Sequence, residues 1–164
     1  MAGIFKPKKG FTLVEILVTL ALLAILAAAV MPLTKIAVKR EKEIELRRSL
    51  RTLREALDAY KKLADEKKIE VEEDSEGYPP DLETLVKGIE LKEQKADEKG
   101  QKTGPKTIKF LRRIPRDPIT DSIDWGLRSY QDEPDSDVWG GENVYDVFTK
   151  SLGTALDGTK YKDW

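Results

Sequence analysis

Phe11 opens a run of roughly twenty apolar residues, Phe11 to Leu33, in which Glu15 is the single charge. A carboxylate inside a membrane helix costs up to ~3 kcal/mol at mid-depth and less near the interface. Glu15 therefore demands a specific partner. If the backbone is cut between Gly10 and Phe11, the new amino terminus is a cation one helical turn from Glu15, and the two can pair when buried. The pair could close within one chain, or the amine of one subunit could meet Glu15 of its neighbour and set the axial register of a helical polymer. Other chemistry is excluded by composition. The chain has no cysteine and no histidine, which removes disulfide scaffolds, thiol nucleophiles, Cys/His zinc sites and histidine-based triads. A net charge of −1 gives no general pull toward nucleic acid, and no nucleic-acid partner is expected.

The element that must carry Glu15 is a membrane helix. At ~1.5 Å per residue, Phe11 to Val30 covers about 30 Å, the thickness of the hydrocarbon layer. Lys6, Lys8 and Lys9 precede it, which keeps that end in the cytoplasm and exports the rest. A secretory signal peptide is one alternative, but its apolar stretch is shorter, ~7–15 residues, and ends in a small-x-small cleavage site. An uncleaved anchor is another, and it leaves Glu15 without a purpose.

Beyond the membrane, Ile36 and then Leu46, Leu50, Leu53, Leu57, Tyr60 and Ala64 recur at steps that alternate between four and three, among Lys, Arg and Glu. Glycine is absent from Phe11 through Glu76. These features predict one nearly continuous helix from Phe11 to about Ala64, which Pro32 should kink or locally melt by removing a backbone hydrogen bond. The same spacing is also a heptad seam, so a membrane-anchored coiled coil is an alternative. The more than eighty non-helical residues that follow favour a stripe packed against a small sheet. The Lys/Arg run from Lys39 to Arg54 is interleaved with Glu41, Glu43 and Glu45, which suits pairing with a neighbouring subunit or a solvated face rather than DNA.

In the second half, Gly77-Tyr78-Pro79-Pro80 breaks the chain, Asp81 is a candidate cap for a short helix ending near Gly88, and Lys87 to Lys109 reads as an exposed loop or ragged helix. Strands are expected around Trp125 to Tyr130 and Asn143 to Phe148, and Asp157-Gly158-Thr159 signals a turn. Trp125, Trp139 and Trp164 could form a binding platform, but aromatics of a small sheet more often fill the core over a helix.

Lys9-Gly10-Phe11-Thr12-Leu13-Val14-Glu15, the apolar run and Pro32 resemble the type III signal of type IV pilins and type II secretion pseudopilins. Gly77-Tyr78-Pro79, Leu82 to Leu85, Ile114-Pro115-x-Asp117-Pro118, Tyr145-Asp146-Val147 and Asp157-Gly158 further resemble the G-type major pseudopilin, and the lack of cysteine is unlike many pilins of the pilus proper. The resemblance implies an α+β, pilin-like fold: a long N-terminal helix, membrane-spanning in its first half, packed on a small antiparallel β-sheet head. It divides the chain into a leader (1–10), a transmembrane or filament-core helix (11–38) and a periplasmic head (39–164).

It also implies cleavage after Gly10 by a prepilin peptidase, N-methylation of Phe11, and subunit docking through Glu15. The expected protein is a non-enzymatic subunit of a homopolymeric pseudopilus. Its implied partners are minor pseudopilins, an inner-membrane assembly platform with its ATPase, and an outer-membrane secretin. A subunit of a type IV or competence pilus, and a single-pass anchored binding protein, are the alternatives. G-type members hold Ca²⁺, which wants six to eight oxygens, in a carboxy-terminal loop. Here the ending Leu156 to Trp164 lacks an adjacent acidic pair and carries Lys160 and Lys162. No ligands are assigned: Asp121, Asp124, Asp132, Asp135 and Asp137 offer other oxygens at a spacing that fits no EF-hand, and a solvated acidic loop is the other reading.

Overall fold

The computed structural model describes residues 10–92 and 106–164. One helix, α1 (Leu13–Asp65), runs through Pro32 without a break, so the local melting expected at that proline does not occur. The chain divides into two compact units with the boundary between Lys39 and Arg40.

In the first unit, α1 begins where Thr12 accepts the Glu15 N–H at its Oγ1, 3.2 Å away. Threonine three residues before glutamate is the sequence pattern of a capping box, and here it satisfies one of the orphan amides of the first turn. The described side chains of this half are exposed on all sides, from Leu13 at 77% to Leu33 at 65%. Ile36, expected in the core stripe, is also exposed.

In the second unit, Leu46, Leu50, Leu53, Leu57, Tyr60 and Ala64 are all buried, as the alternating spacing predicts. They form one cluster with Ile69, Leu85, Trp125, Val144 and Val147. α1 ends at a left-handed residue, Lys67 (φ 56°). The Lys67 and Lys68 amides turn back to the carbonyls of Ala64 and Leu63, the paired closure that ends many helices. After a 3₁₀ turn (Glu73–Ser75) comes α2 (Leu82–Lys87), whose cap is Asp81: its Oδ1 accepts from the Thr84 amide at 2.6 Å and the Thr84 hydroxyl at 2.8 Å. α2 stops at Gly88, where φ is 85° and an added Cβ would stand 2.6 Å from the Ile108 carbonyl oxygen. Only glycine permits that approach.

Among the described residues the strands form two separate antiparallel pairs rather than one sheet. β1 (Ile89–Glu90) pairs with β2 (Thr107–Ile108), Ile89 opposite Ile108. β3 (Gly126–Arg128) pairs with β4 (Asp146–Phe148), Leu127 opposite Val147. The first pair corrects the expectation of a loop or ragged helix over Lys87 to Lys109, whose middle, 93–105, lies outside the described residues. Alternation is invisible in a strand of two residues. The second pair lies within the two expected strand segments.

The Ile114 to Pro118 motif has a structural use. Asp117 is buried, and its Oδ1 accepts the Ile119 amide at 2.8 Å while its Oδ2 accepts the Thr149 hydroxyl. Beside it, the Trp125 indole N–H donates to the Pro115 carbonyl at 2.9 Å. Trp125 is thus core, as expected, and Trp164 packs against the core, but Trp139 is 37% exposed and does not fill it. Asp117→Ala strands those donors without acceptors, so it should destabilise the head by about 2–3 kcal/mol. The expected result is a lower urea midpoint with an unchanged slope; an unaltered midpoint would show that the motif carries no fold energy.

Candidate assembly site

Gly10, Phe11 and Glu15 lie together at the start of α1, and Pro32 lies well inside it. Lys6, Lys8 and Lys9 fall outside the described residues. Phe11 is 80% exposed, so the Gly10-Phe11 peptide stands in the open at the mouth of the helix. Glu15 is exposed, and its carboxylate has no ion-pair partner among the described residues. Its backbone is satisfied by Thr12; its charge is not.

This half of α1 is long and apolar enough to cross a membrane, and none of that span is buried among the described residues. A surface of this kind has two physical resting places, lipid or other helices of the same character.

The second unit contributes what keeps the head on α1. Arg54 donates to Asp146 Oδ1 at 2.7 Å, and to the carbonyls of Val147 at 3.3 Å and Trp164 at 2.8 Å. One guanidinium thereby ties α1 to β4 and to the final segment, using the fork geometry lysine lacks. One turn before the core stripe, Glu43 Oε1 accepts from the Leu156 amide at 2.8 Å and the Tyr161 hydroxyl at 2.9 Å. Arg47 stacks 4.0 Å from the centre of the Trp164 ring and reaches Asp157 at 3.4 Å. Sequence reasoning assigned none of these roles to Arg54, Glu43 or Arg47. The one available signal was their position beside the stripe on the helix, where a charged residue borders the core.

A calcium ion would need a cluster of oxygen donors, and no group of three His, Cys, Asp or Glu residues is gathered among the described residues. The acidic side chains are occupied singly. Asp121 pairs with Arg116, Asp124 with Lys150 and Asp137 with Lys162. Asp132 accepts the amides of Ser129 and Gly140, which hold its carboxyl below the usual range. Asp157 is lowered in the same way by the Thr159 hydroxyl and amide.

Residues 5–31 match the family model described as the prokaryotic N-terminal methylation motif. That motif is the signal of type IV pilin-like proteins; it supports a pilin-like chain and implies processing by a prepilin peptidase and assembly into a filament. No curated protein and no solved structure matches the chain.

Tyr161 supplies a measurement of the Glu43 anchor. Burial, with the hydrogen bond to Glu43 adding to it, pushes the phenol up to about 12 from its ordinary 10.0. A pKa raised in the folded state means that the stabilisation is whole below the ordinary value and is lost as pH climbs toward the raised one. Between pH 10 and about 12, the melting temperature of the wild-type chain should therefore fall more steeply than that of Tyr161→Phe. Parallel slopes would mean that the anchor contributes nothing.

Proposed function

We propose that the chain is a filament subunit: a precursor of the bacterial inner membrane, cut between Gly10 and Phe11, which polymerises through residues 11–38 into a periplasmic pseudopilus that drives protein export by type II secretion. The observation that carries this reading is the contrast at the start of α1, where an exposed apolar helix displays one carboxylate that has no ion-pair partner among the described residues. Lipid covers the apolar surface and leaves Glu15 at most the amine of its own chain. A bundle of like helices covers it and brings the freed Phe11 amine of one subunit to Glu15 of the next.

In this reading no step is enzymatic. Subunits wait in the membrane on the first half of α1, with the head outside in the periplasm, and extraction exposes that surface only until neighbours rebury it. Pro32, which cannot donate to the carbonyl four residues earlier, gives the helix a point at which to bend between the two settings. N-methylation of Phe11 keeps the amine charged. The remaining partners are minor pseudopilins, an assembly platform with its ATPase, and an outer-membrane secretin through which the filament pushes exported proteins.

Amino-terminal sequencing or intact mass of the protein from its native membrane tests the first step. Methyl-Phe11 as the first residue is expected, and Met1 would overturn the reading in favour of an anchored receptor. Glu15→Ala should be cleaved normally yet give roughly tenfold fewer filaments or less, since a charge-assisted contact is worth about 1.5–3 kcal/mol; undiminished filaments would show that register does not depend on the pair. Deletion of the gene separates the machines: lost export is expected, whereas lost surface fibres with export intact would move the chain to a pilus.

A further inference from the structure

On the side of α1 turned away from the buried Leu46 to Leu57 stripe, charge alternates at a fixed step. Glu41, Arg48, Glu55 and Lys62 follow one another at intervals of seven, and all four are exposed. Seven residues make almost two whole turns and drift only ~20° around a straight helix. The four therefore lie in one line that reads minus, plus, minus, plus. Arg51 and Asp58, exposed at one flank of that line, are opposite in sign at the same step. None of these six carries an ion pair among the described residues, although Arg47, Arg54 and Asp65 on the same helix are engaged by Asp157, Asp146 and Lys61. Successive charges of the line stand about 10 Å apart at ~1.5 Å per residue, too far to meet inside one helix.

Such a line is complementary to itself when it is shifted by one step. Beside a parallel copy displaced by seven residues, Glu41 meets Arg48, Arg48 meets Glu55, and Glu55 meets Lys62. In register, or displaced by fourteen, every member of the line meets its own sign. Displaced by four, Arg51 gains Glu55, but Glu41 meets Glu45 and Arg48 meets Thr52. Attraction at one offset and repulsion at others is the means by which charge fixes the register of two surfaces.

We infer that this line is a contact between copies of the chain: successive parallel copies turn it toward a common axis, each displaced by seven residues along α1 from the one before. This inference rests on the filament reading above and names the head contact that reading lacks. Each copy then meets the copy above with one flank of the line and the copy below with the other, so that Arg48 reaches Glu55 of one and Glu41 of the other. The contact is heterologous and propagates instead of closing. One axial rise serves every part of a filament subunit. At seven residues, about 10 Å, the Phe11 amine of one copy lies about three residues along the axis from Glu15 of its neighbour, which is less than one turn. Both sets of charges accept the same offset. The line also matches itself antiparallel, Glu41 to Lys62 and Arg48 to Glu55, but copies anchored the same way in one membrane run parallel, and the antiparallel pair sets Glu45 against Asp58.

The test is charge exchange in the full chain, assembled in its native cell. Arg48→Glu combined with Glu55→Arg leaves the net charge unchanged but puts like charge opposite both Glu41 and Lys62 of the neighbours, and should lower filament yield roughly tenfold or more. Adding Glu41→Arg and Lys62→Glu inverts the whole line, which is again complementary to itself at the same offset, and should restore the yield. Since the four positions are exposed and unpaired, urea midpoints of both variants are expected to stay close to wild type; a clearly lowered midpoint would show that the line serves the fold and overturn the contact. Undiminished filaments from the twofold exchange would overturn it too, since a solvated face and the antiparallel pair both tolerate that exchange. A fourfold inversion that fails to recover would assign the face to a partner of fixed charge pattern instead of a second copy. Each of these results leaves the filament reading intact, whereas wild-type chains that lose residues 1–10 and never polymerise would overturn both.

Discussion

The structure turns on an apolar surface that the described residues leave uncovered. Burying a Leu, Ile or Val side chain is worth about 1.5–3 kcal/mol, and the first half of α1 presents such side chains on every face, with none of its membrane-length span buried. The head gathers a core of its own around Leu46, Leu53 and Leu57, and the described strands are only two or three residues long. A chain this rich in charge, 36% of its residues, folds a small head and leaves the other half of its longest element for lipid or for its own copies.

That division explains why polar anchors matter so much in the second unit. With two short strand pairs in place of a continuous sheet, backbone ladders fix little of the head, and side chains on α1 do the joining. Arg54 gathers β4 and the final segment onto one guanidinium, Glu43 holds the turn before Tyr161, and Asp117 receives both a loop amide and the Thr149 hydroxyl. Each group is satisfied on several sides, which is the condition under which a polar contact near a core stabilises instead of costing.

What could be read in advance follows the same physics. The signal from Lys9 to Glu15 and the four-three spacing of the leucines were legible because they are local and periodic, and the structure buries that stripe from Leu46 onward. Asp81 was legible as a cap because its geometry needs only Thr84, three residues away. Ile36 was misplaced, since spacing shows a face but not what lies against it. The β1–β2 pair was hidden in a charged stretch, where Ile89 and Ile108 are nineteen positions apart and only pairing, not pattern, identifies them. Arg54 to Asp146 spans 92 residues, and no spacing rule reaches so far. Trp139 went astray for a similar reason: its indole N–H finds the Asn143 carbonyl at 2.8 Å, which secures the ring at the surface without burying it.

The same contrast between near and far bears on how such a chain can assemble in one way only. Apolar helices pack on one another with little discrimination, because a leucine is content against any neighbour, so the first half of α1 supplies adhesion but not position. Position has to come from groups that lose heavily when misplaced. In the proposed filament Glu15 is one such group, a carboxylate that an apolar neighbour leaves unpaired. A one-turn slip of about 5.4 Å along the helix barely alters the apolar contact. It separates the charges, and so a lattice of like helices acquires a single register from a handful of ionised side chains.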